Sequence, residues 1–164
     1  MFNTILGVPA HPLLIHAAVV FIPLLIVAAI AYAAFPGLRK RIDWAVVALA
    51  VVAPFAALFA KLSGQNLKTR LIDKHIATPT LLKNIAQHNG FGNNTFWWTL
   101  ALGILTLVLF GYHWSRGRQV PVVDGDSMAI RVGTTAVMVI VGVVVGYYVF
   151  RTGDTGAHMV WQGY

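Results

Sequence analysis

Four long apolar stretches constrain the fold of this chain more than any other feature. They span residues 12–35, 44–62, 96–114 and 132–150, and the one charged side chain among them is Lys61, at the end of the second stretch. About nineteen helical residues extend about 29 Å, which matches the hydrocarbon core of a bilayer. We therefore predict an all-α integral membrane protein whose four spans form a helical bundle.

The composition supports a membrane protein rather than a water-soluble domain. Hydrophobic residues make up 58% of the 164 residues, and charged residues make up only 10%. A chain of this length cannot bury so much apolar surface in its own core, so lipid must solvate the remainder. We expect a single transmembrane domain over residues 1–164. The N-terminal segment lacks the basic residues of a signal peptide, so we expect the first span to be retained.

The segment between the second and third spans is long for a loop and has a helical pattern. Thr78 followed by Pro79 is typical of a helix start, and Gly90 is typical of a helix end. Its apolar residues share one helical face. They are Leu81, Leu82 and Ile85. We predict a short amphipathic helix at the membrane interface over about 79–89.

Prolines and glycines inside the spans indicate how the helices pack. Pro23 and Pro54 each remove the helical donor of a carbonyl one turn back, so both should bend their helices. Gly142 and Gly146 form a small-xxx-small face in the fourth span. Such a face lets another helix approach closely. We therefore predict that these two glycines pack against a helix.

The charge pattern indicates lipid as a partner and suggests an orientation. The net charge is +7, and the basic residues that produce it lie beside the apolar spans. We therefore expect them to contact anionic lipid headgroups and not nucleic acid. The cluster at residues 39–41 is the densest group of basic residues and occupies the shortest loop. The positive-inside rule then places this cluster in the cytoplasm. The termini and the opposite loops would face outward.

Histidines are the one group of side chains in this sequence that could bind a cofactor or a metal. Five of the six lie near one membrane side if the chain crosses four times, namely His11, His16, His75, His88 and His158. Cysteine is absent, which excludes thiolate ligands and iron–sulfur clusters. The acidic residues are five aspartates, all in loops or at span ends. Hydrolytic catalysis and transport through a mid-membrane carboxylate therefore have no support.

Two imidazoles from different segments suit axial haem ligation inside a helical bundle. His16 lies within an apolar run, where an ionisable group should face a partner in the bundle. His11 precedes Pro12, and we place it outside the helix; a five-residue step of about 140° also separates it from the face of His16. We predict that His16 and His88 bind a haem, with His11 nearby.

Three alternatives remain open. One is a zinc or copper site formed by His16, His88 and His158, with His11 in reach. Another is a structural or accessory subunit of a larger membrane complex, or a homo-oligomer, assembled through Gly142 and Gly146. The last is a small-solute transport protein.

Motifs at both ends of the chain give it a family resemblance. The N-terminal motif His-Pro-x-x-x-His occupies residues 11–16, and the string Gly-Asp-Thr-Gly-Ala-His-Met-Val-Trp occupies residues 153–161. Between them, Gly64 follows the second span and His88 precedes the third. With these features the chain resembles the bacterial membrane family called domain of unknown function 2231, over essentially its whole length. His158 occupies a position that is usually another residue in that family.

The resemblance implies a four-helix bundle in a bacterial inner membrane. Members of the family are also joined to Rieske-type iron–sulfur domains, which implies electron transfer, a b-type haem and other membrane redox subunits as partners. By this analogy the haem bound by His16 and His88 would be haem b, and the protein would pass electrons and not catalyse a reaction alone.

Overall fold

The computed structural model describes residues 4–5, 8–75, 78–117 and 128–161. Four long helices account for nearly all of them: α1 (Ala10–Ala34), α2 (Arg39–Asp73), α3 (Pro79–Gly117) and α4 (Met128–Trp161). A two-residue strand pair, β1 (Thr4–Ile5) with β2 (Val8–Pro9), precedes α1, and a 3-10 turn (Pro36–Leu38) joins α1 to α2. All four helices are long and apolar enough to cross a membrane. The predicted all-α four-helix fold is confirmed.

Consecutive helices pack against each other, and α4 closes the bundle against α1. The buried core includes Leu25, Tyr32, Val46, Leu102 and Val145. Large apolar side chains also cover the outside of the bundle. Examples are Val27, Val108 and Ile140. An apolar exterior around an apolar core is the arrangement that lipid as solvent requires.

Three of the helices are longer than a membrane span. α2, α3 and α4 have 35, 39 and 34 residues, whereas α1 has 25. At a rise of 1.5 Å per residue, α3 is about 58 Å long, roughly twice the hydrocarbon thickness. Parts of α2, α3 and α4 therefore extend beyond the bilayer core.

The prediction of a separate interfacial helix over 79–89 is wrong in its end point. The helix does begin at Pro79, and Thr78 caps it by accepting a hydrogen bond from the Leu81 amide at 3.2 Å. Gly90 does not end it, because the same helix continues to Gly117. An interior glycine costs a helix only about 1 kcal/mol, and packing overrides that cost. The predicted amphipathic segment forms the first turns of α3, with Ile85 buried.

Pro54 and Gly103 determine how closely α2 and α3 approach. Pro54 has no N–H, so it cannot donate to the Ala50 carbonyl one turn back. That carbonyl lies against Gly103, where a Cβ would be 2.6 Å from the Ala50 oxygen and 3.1 Å from Pro54 Cγ. Only a glycine therefore fits this crossing of α2 and α3.

The predicted glycine face of α4 is used only in part within the chain. A Cβ at Gly142 would lie 2.9 Å from Ile26 Cγ2, so this glycine lets α1 approach α4 closely. A Cβ at Gly146 would meet no described atom within 4 Å. One glycine of the pair therefore packs inside the bundle and the other does not.

Charged residues divide the bundle into an apolar belt and two polar ends. In α2 no charged side chain lies between Asp43 and Lys61, an interval of about 26 Å, and in α4 none lies between Arg131 and Arg151. We call the end with Lys61 and Arg151 the histidine end, because it contains His11 and His88. The opposite end, with Arg39 and His113, is called the arginine end.

Candidate functional site

His11 lies in the first turn of α1 and faces α2. This helix begins at Ala10, so the prediction that His11 lies outside it is wrong. Its Nδ1 lies 3.1 Å from the Ala60 carbonyl and 3.0 Å from Ser63 Oγ. Ser63 Oγ already donates to the same carbonyl at 2.9 Å. Both oxygens can therefore accept from Nδ1–H, which places the proton there and leaves the lone pair on Nε2.

His88 on α3 is held in the same way by α4. Its Nδ1 lies 3.1 Å from Thr155 Oγ1. The Thr155 hydroxyl donates to the carbonyls of Arg151 and Thr152, at 2.8 and 3.1 Å. Because this hydroxyl proton is already donated, the Thr155 oxygen accepts from His88 Nδ1–H, so Nε2 keeps its lone pair here as well.

The two imidazoles meet at the histidine end. Their ring centroids are 6.3 Å apart, and the ring planes are nearly perpendicular, at 86°. Each ring lies over a glycine of a neighbouring helix. A Cβ at Gly64 of α2 would be 3.0 Å from His11 Cε1, and a Cβ at Gly156 of α4 would be 3.2 Å from His88 Cε1. All four helices therefore build the pair, two by imidazoles and two by glycines and oxygen acceptors.

Cations at the histidine end are held on aromatic rings and by polar partners. Lys61 Nζ donates to Asn93 Oδ1 at 2.7 Å and lies 5.0 Å from the centre of the Phe96 ring. The Arg151 guanidinium lies 4.9 Å from the centre of the Phe91 ring. Cation–π contacts of this kind stabilise a charge where water is scarce. The histidine end therefore carries two cations, one of which, Arg151, also forms an ion pair with Asp154 at 3.3 Å.

His16 and His158 lie away from this pair. His16 is exposed on the outer face of α1, and its Nδ1 donates to the Pro12 carbonyl at 2.6 Å. The expectation that it faces a partner inside the bundle is therefore wrong. His158 is also exposed and donates to the Asp154 carbonyl of its own helix at 2.8 Å. As predicted, their spacing of five residues places His11 and His16 on different faces of α1. His11, and not His16, faces the bundle.

The other histidine of this side, His75, lies in the turn after α2, exposed and with a φ of 57°. Within the described parts of the chain, no three His, Cys, Asp or Glu side chains are grouped so that they could hold a metal ion. The structure therefore does not bring His16, His88 and His158 together as the three ligands of one metal site.

A second polar cluster occupies the arginine end. Arg39 Nε donates to the Tyr32 carbonyl at 3.0 Å, and its Nη2 donates to the Ala33 carbonyl at 3.3 Å. Its Nη1 lies 3.2 Å from His113 Nδ1, which accepts because a guanidinium has no acceptor. The buried Tyr32 ring also packs against the His113 ring, with their centroids 5.9 Å apart. The structure therefore places His113 on an arginine that caps α1.

The fold and this site define an integral membrane protein with four spans and an imidazole pair at one end of the bundle. The chain matches the family model described as predicted membrane protein (DUF2231) over residues 7–163, and it belongs to that family. No curated protein and no solved structure matches the chain. The match includes both imidazoles and both glycines of the site.

Proposed function

We propose that this protein is a membrane electron-transfer subunit that binds a b-type haem through His11 and His88. The observation that supports the proposal is the imidazole pair itself. Two imidazoles that ligate one metal from opposite sides place their ring centres about 6 Å apart, given metal–nitrogen bonds of about 2 Å. The observed separation of 6.3 Å is compatible with this arrangement.

The hydrogen-bond partners of His11 and His88 also fit haem ligation. Histidine ligands of metals usually donate their second ring N–H to an oxygen, which fixes the tautomer and makes the ligating nitrogen more basic. Ser63 and the Ala60 carbonyl would do this for His11, and Thr155 would do it for His88. When bound, haem supplies one-electron chemistry. The protein's own residues hold and orient the two imidazoles.

This proposal replaces one ligand of the sequence prediction. His88 is kept, and His11 takes the place of His16, because His16 faces away from the bundle. The histidine end would face the outer side of a bacterial inner membrane, where the electron partner is another redox subunit. The orientation follows from the basic cluster at residues 39–41 on the opposite side.

An absorption spectrum tests the proposal. The full chain is purified in detergent from cells supplied with a haem precursor, and the Soret band and the pyridine haemochrome are recorded. We expect a b-type spectrum that is lost in His11→Ala and His88→Ala and retained in His16→Ala, the matched control on the same helix. A protein without a Soret band, or one that loses it equally in His16→Ala, contradicts the proposal.

A second candidate function is an accessory subunit of a larger membrane assembly. The observation that favours it is the open space at Gly146, next to the exposed side chains of Val143 and Tyr147. A small residue beside such side chains permits close approach of a helix from another chain. Gly146→Leu should then abolish co-migration with partners in native gels and leave the monomer folded. Unchanged co-migration argues against this function.

A further inference from the structure

Helix α2 begins with three consecutive basic residues at the end of a helix that disfavours cations. They are Arg39, Lys40 and Arg41, and the first turn contains no acidic residue. The N-cap residue, Leu38, makes no capping hydrogen bond through its side chain. The N-terminus of a helix carries about half a positive charge, so it favours anions and disfavours basic side chains. The start of α2 therefore concentrates positive charge that nothing in its own first turn balances.

The three bases do not share one role. Arg39 is half-buried, and its hydrogen bonds hold the end of α1 and His113. Lys40 and Arg41 are exposed, and neither has a hydrogen bond or an ion pair with another residue that the structure describes. Asp43, the nearest acid in the sequence, is half-buried. The charges of Lys40 and Arg41 are therefore accessible to an anion outside the bundle.

An exposed apolar face of α2 continues directly from these two charges. The residues of this face lie within about 100° of the helix circumference, at 100° per residue. They are Lys40, Arg41, Trp44, Val51 and Phe55. Trp44 is 75% exposed, and Val51 and Phe55 are exposed as well. Bases, then an indole, then apolar side chains follow the order of phosphate, interface and acyl chain in a phospholipid leaflet.

Ala48 gives this face a shallow notch. It is exposed, and it lies on the same face between Trp44 and Val51. A methyl group between two larger side chains leaves room for one acyl chain to lie against the indole. The rise of α2 from Lys40 to Trp44 is about 6 Å, so a phosphate at Lys40 places the glycerol and the first methylenes of a lipid beside the indole. Dispersion contacts along the notch then favour a lipid held in one position.

We propose that this face of α2 binds one anionic phospholipid, with its phosphate between Lys40 and Arg41 and an acyl chain along Trp44 and Val51. Charge complementarity selects an anionic lipid, because a zwitterionic headgroup brings its own ammonium to the two cations. Arg41 is suited to bind two phosphate oxygens at once, and Lys40 adds a flexible point charge. The site lies at the arginine end, opposite the imidazole pair, so it does not depend on haem binding.

The bound lipid supports the connection between α1 and α2. The 3-10 turn Pro36–Leu38 lies between the end of α1 and Lys40, so the phosphate sits next to this connection. Its negative charge offsets both the mutual repulsion of the bases and their repulsion from the helix dipole. The positive-inside rule places this end in the cytoplasmic leaflet, where anionic lipids are supplied. A ligand that binds only the folded state stabilises it, so the stability of the protein should depend on anionic lipid.

Lipid-dependent unfolding in a neutral detergent tests the site. The delipidated full chain is titrated with phosphatidylglycerol or with phosphatidylcholine of the same acyl chains, and the melting temperature is recorded. We expect phosphatidylglycerol alone to raise it. Lys40→Ala/Arg41→Ala should weaken the apparent affinity about thirtyfold, or about 2 kcal/mol at about 1.4 kcal/mol per factor of ten. Without lipid this variant should be no less stable than the wild type, because it removes cations from the positive end of a helix.

Lys68→Ala/Lys74→Ala is the matched control, because it removes the same charge from the histidine end and should respond to phosphatidylglycerol like the wild type. Soluble glycerol phosphate at the same concentration should not raise the melting temperature, which separates a lipid from free phosphate. Equal responses to the two lipids overturn the proposal, as does an equal gain in Lys40→Ala/Arg41→Ala or a gain from glycerol phosphate.

Tryptophan fluorescence tests the position of the acyl chain. Phosphatidylglycerol with brominated chains quenches indoles that it touches, so the quenched fraction of the fluorescence should fall in Trp44→Phe. An unchanged fraction contradicts the proposal. The Soret band of the haem titration reports on the opposite end of the bundle, so haem binding and lipid binding can fail independently.

Discussion

His11 lies so close to Gly64 that a Cβ at residue 64 would be 3.0 Å from the imidazole Cε1. The contact joins α1 to α2 at the level where His11 also reaches Ser63 and the Ala60 carbonyl. The glycine and the two oxygens therefore fix a single position of the ring. A second pair, His88 with Gly156, repeats the arrangement between α3 and α4.

Gly64→Ala should displace the His11 ring and weaken its hydrogen bonds to α2. Overpacking of this kind costs about 1–3 kcal/mol. Thermal unfolding in detergent should show a lower melting temperature. Gly153→Ala is the control: a Cβ there meets no described atom within 4 Å, so alanine should be neutral or slightly stabilising in the helix. Equal melting temperatures for the two variants would contradict this role of Gly64.

Gly103→Ala should be more damaging than Gly64→Ala. Its Cβ would be 2.6 Å from a backbone oxygen, and a backbone atom moves only if α2 and α3 separate. We expect a loss of stability at or above the upper end of the usual overpacking range of about 1–3 kcal/mol. Gly111→Ala on the same helix, where a Cβ has open space, should unfold like the wild type. Denaturant titration of both variants in detergent distinguishes these outcomes.

The fold class could be predicted from the sequence because bilayer thickness sets span length. Four apolar stretches of about the right length leave few alternatives. The start of α3 could also be predicted, as the hydrogen bond from the Leu81 amide to Thr78 Oγ1 shows. The full length of α3 could not. From the sequence alone, Gly90 predicts a helix end. In the structure the helix continues through Gly90, because packing stabilises the turns on either side of it.

The face of each helix could not be predicted from hydrophobicity. In a membrane, lipid and the protein core are equally apolar, so the pattern that separates inside from outside in a soluble protein is absent. The apolar run around His16 predicts a side chain that faces the bundle, yet His16 faces outward, whereas His11 faces the bundle. Glycines do not supply the missing signal by themselves: Gly64 and Gly103 lie at close helix contacts, whereas Gly111 on α3 faces open space.

Ser63→Ala and Thr155→Val should each weaken haem binding and leave both imidazoles in place. Loss of an outer hydrogen bond to a ligating histidine typically costs about 10–100-fold in affinity. The measurement is haem titration of the purified protein, followed by absorbance. Thr69→Val is the control, because the Thr69 hydroxyl is exposed and donates to Gln65 of its own helix. Affinity unchanged in both site variants would mean that the two hydroxyls do not orient the ligands.

Arg39→Ala should destabilise the arginine end, whereas Arg41→Ala, two residues away, should not. Arg39 donates to two carbonyls at the end of α1 and to His113, while Arg41 is exposed. Hydrogen bonds from charged donors contribute about 1.5–3 kcal/mol each, although their losses are not additive. We expect a melting temperature several degrees lower for Arg39→Ala in detergent, with Arg41→Ala unchanged. Arg39→Lys should recover only part of the loss, because an ammonium cannot reproduce the planar fork that reaches all three acceptors. Full recovery by lysine would show that charge alone, and not the guanidinium geometry, holds α1 to α3.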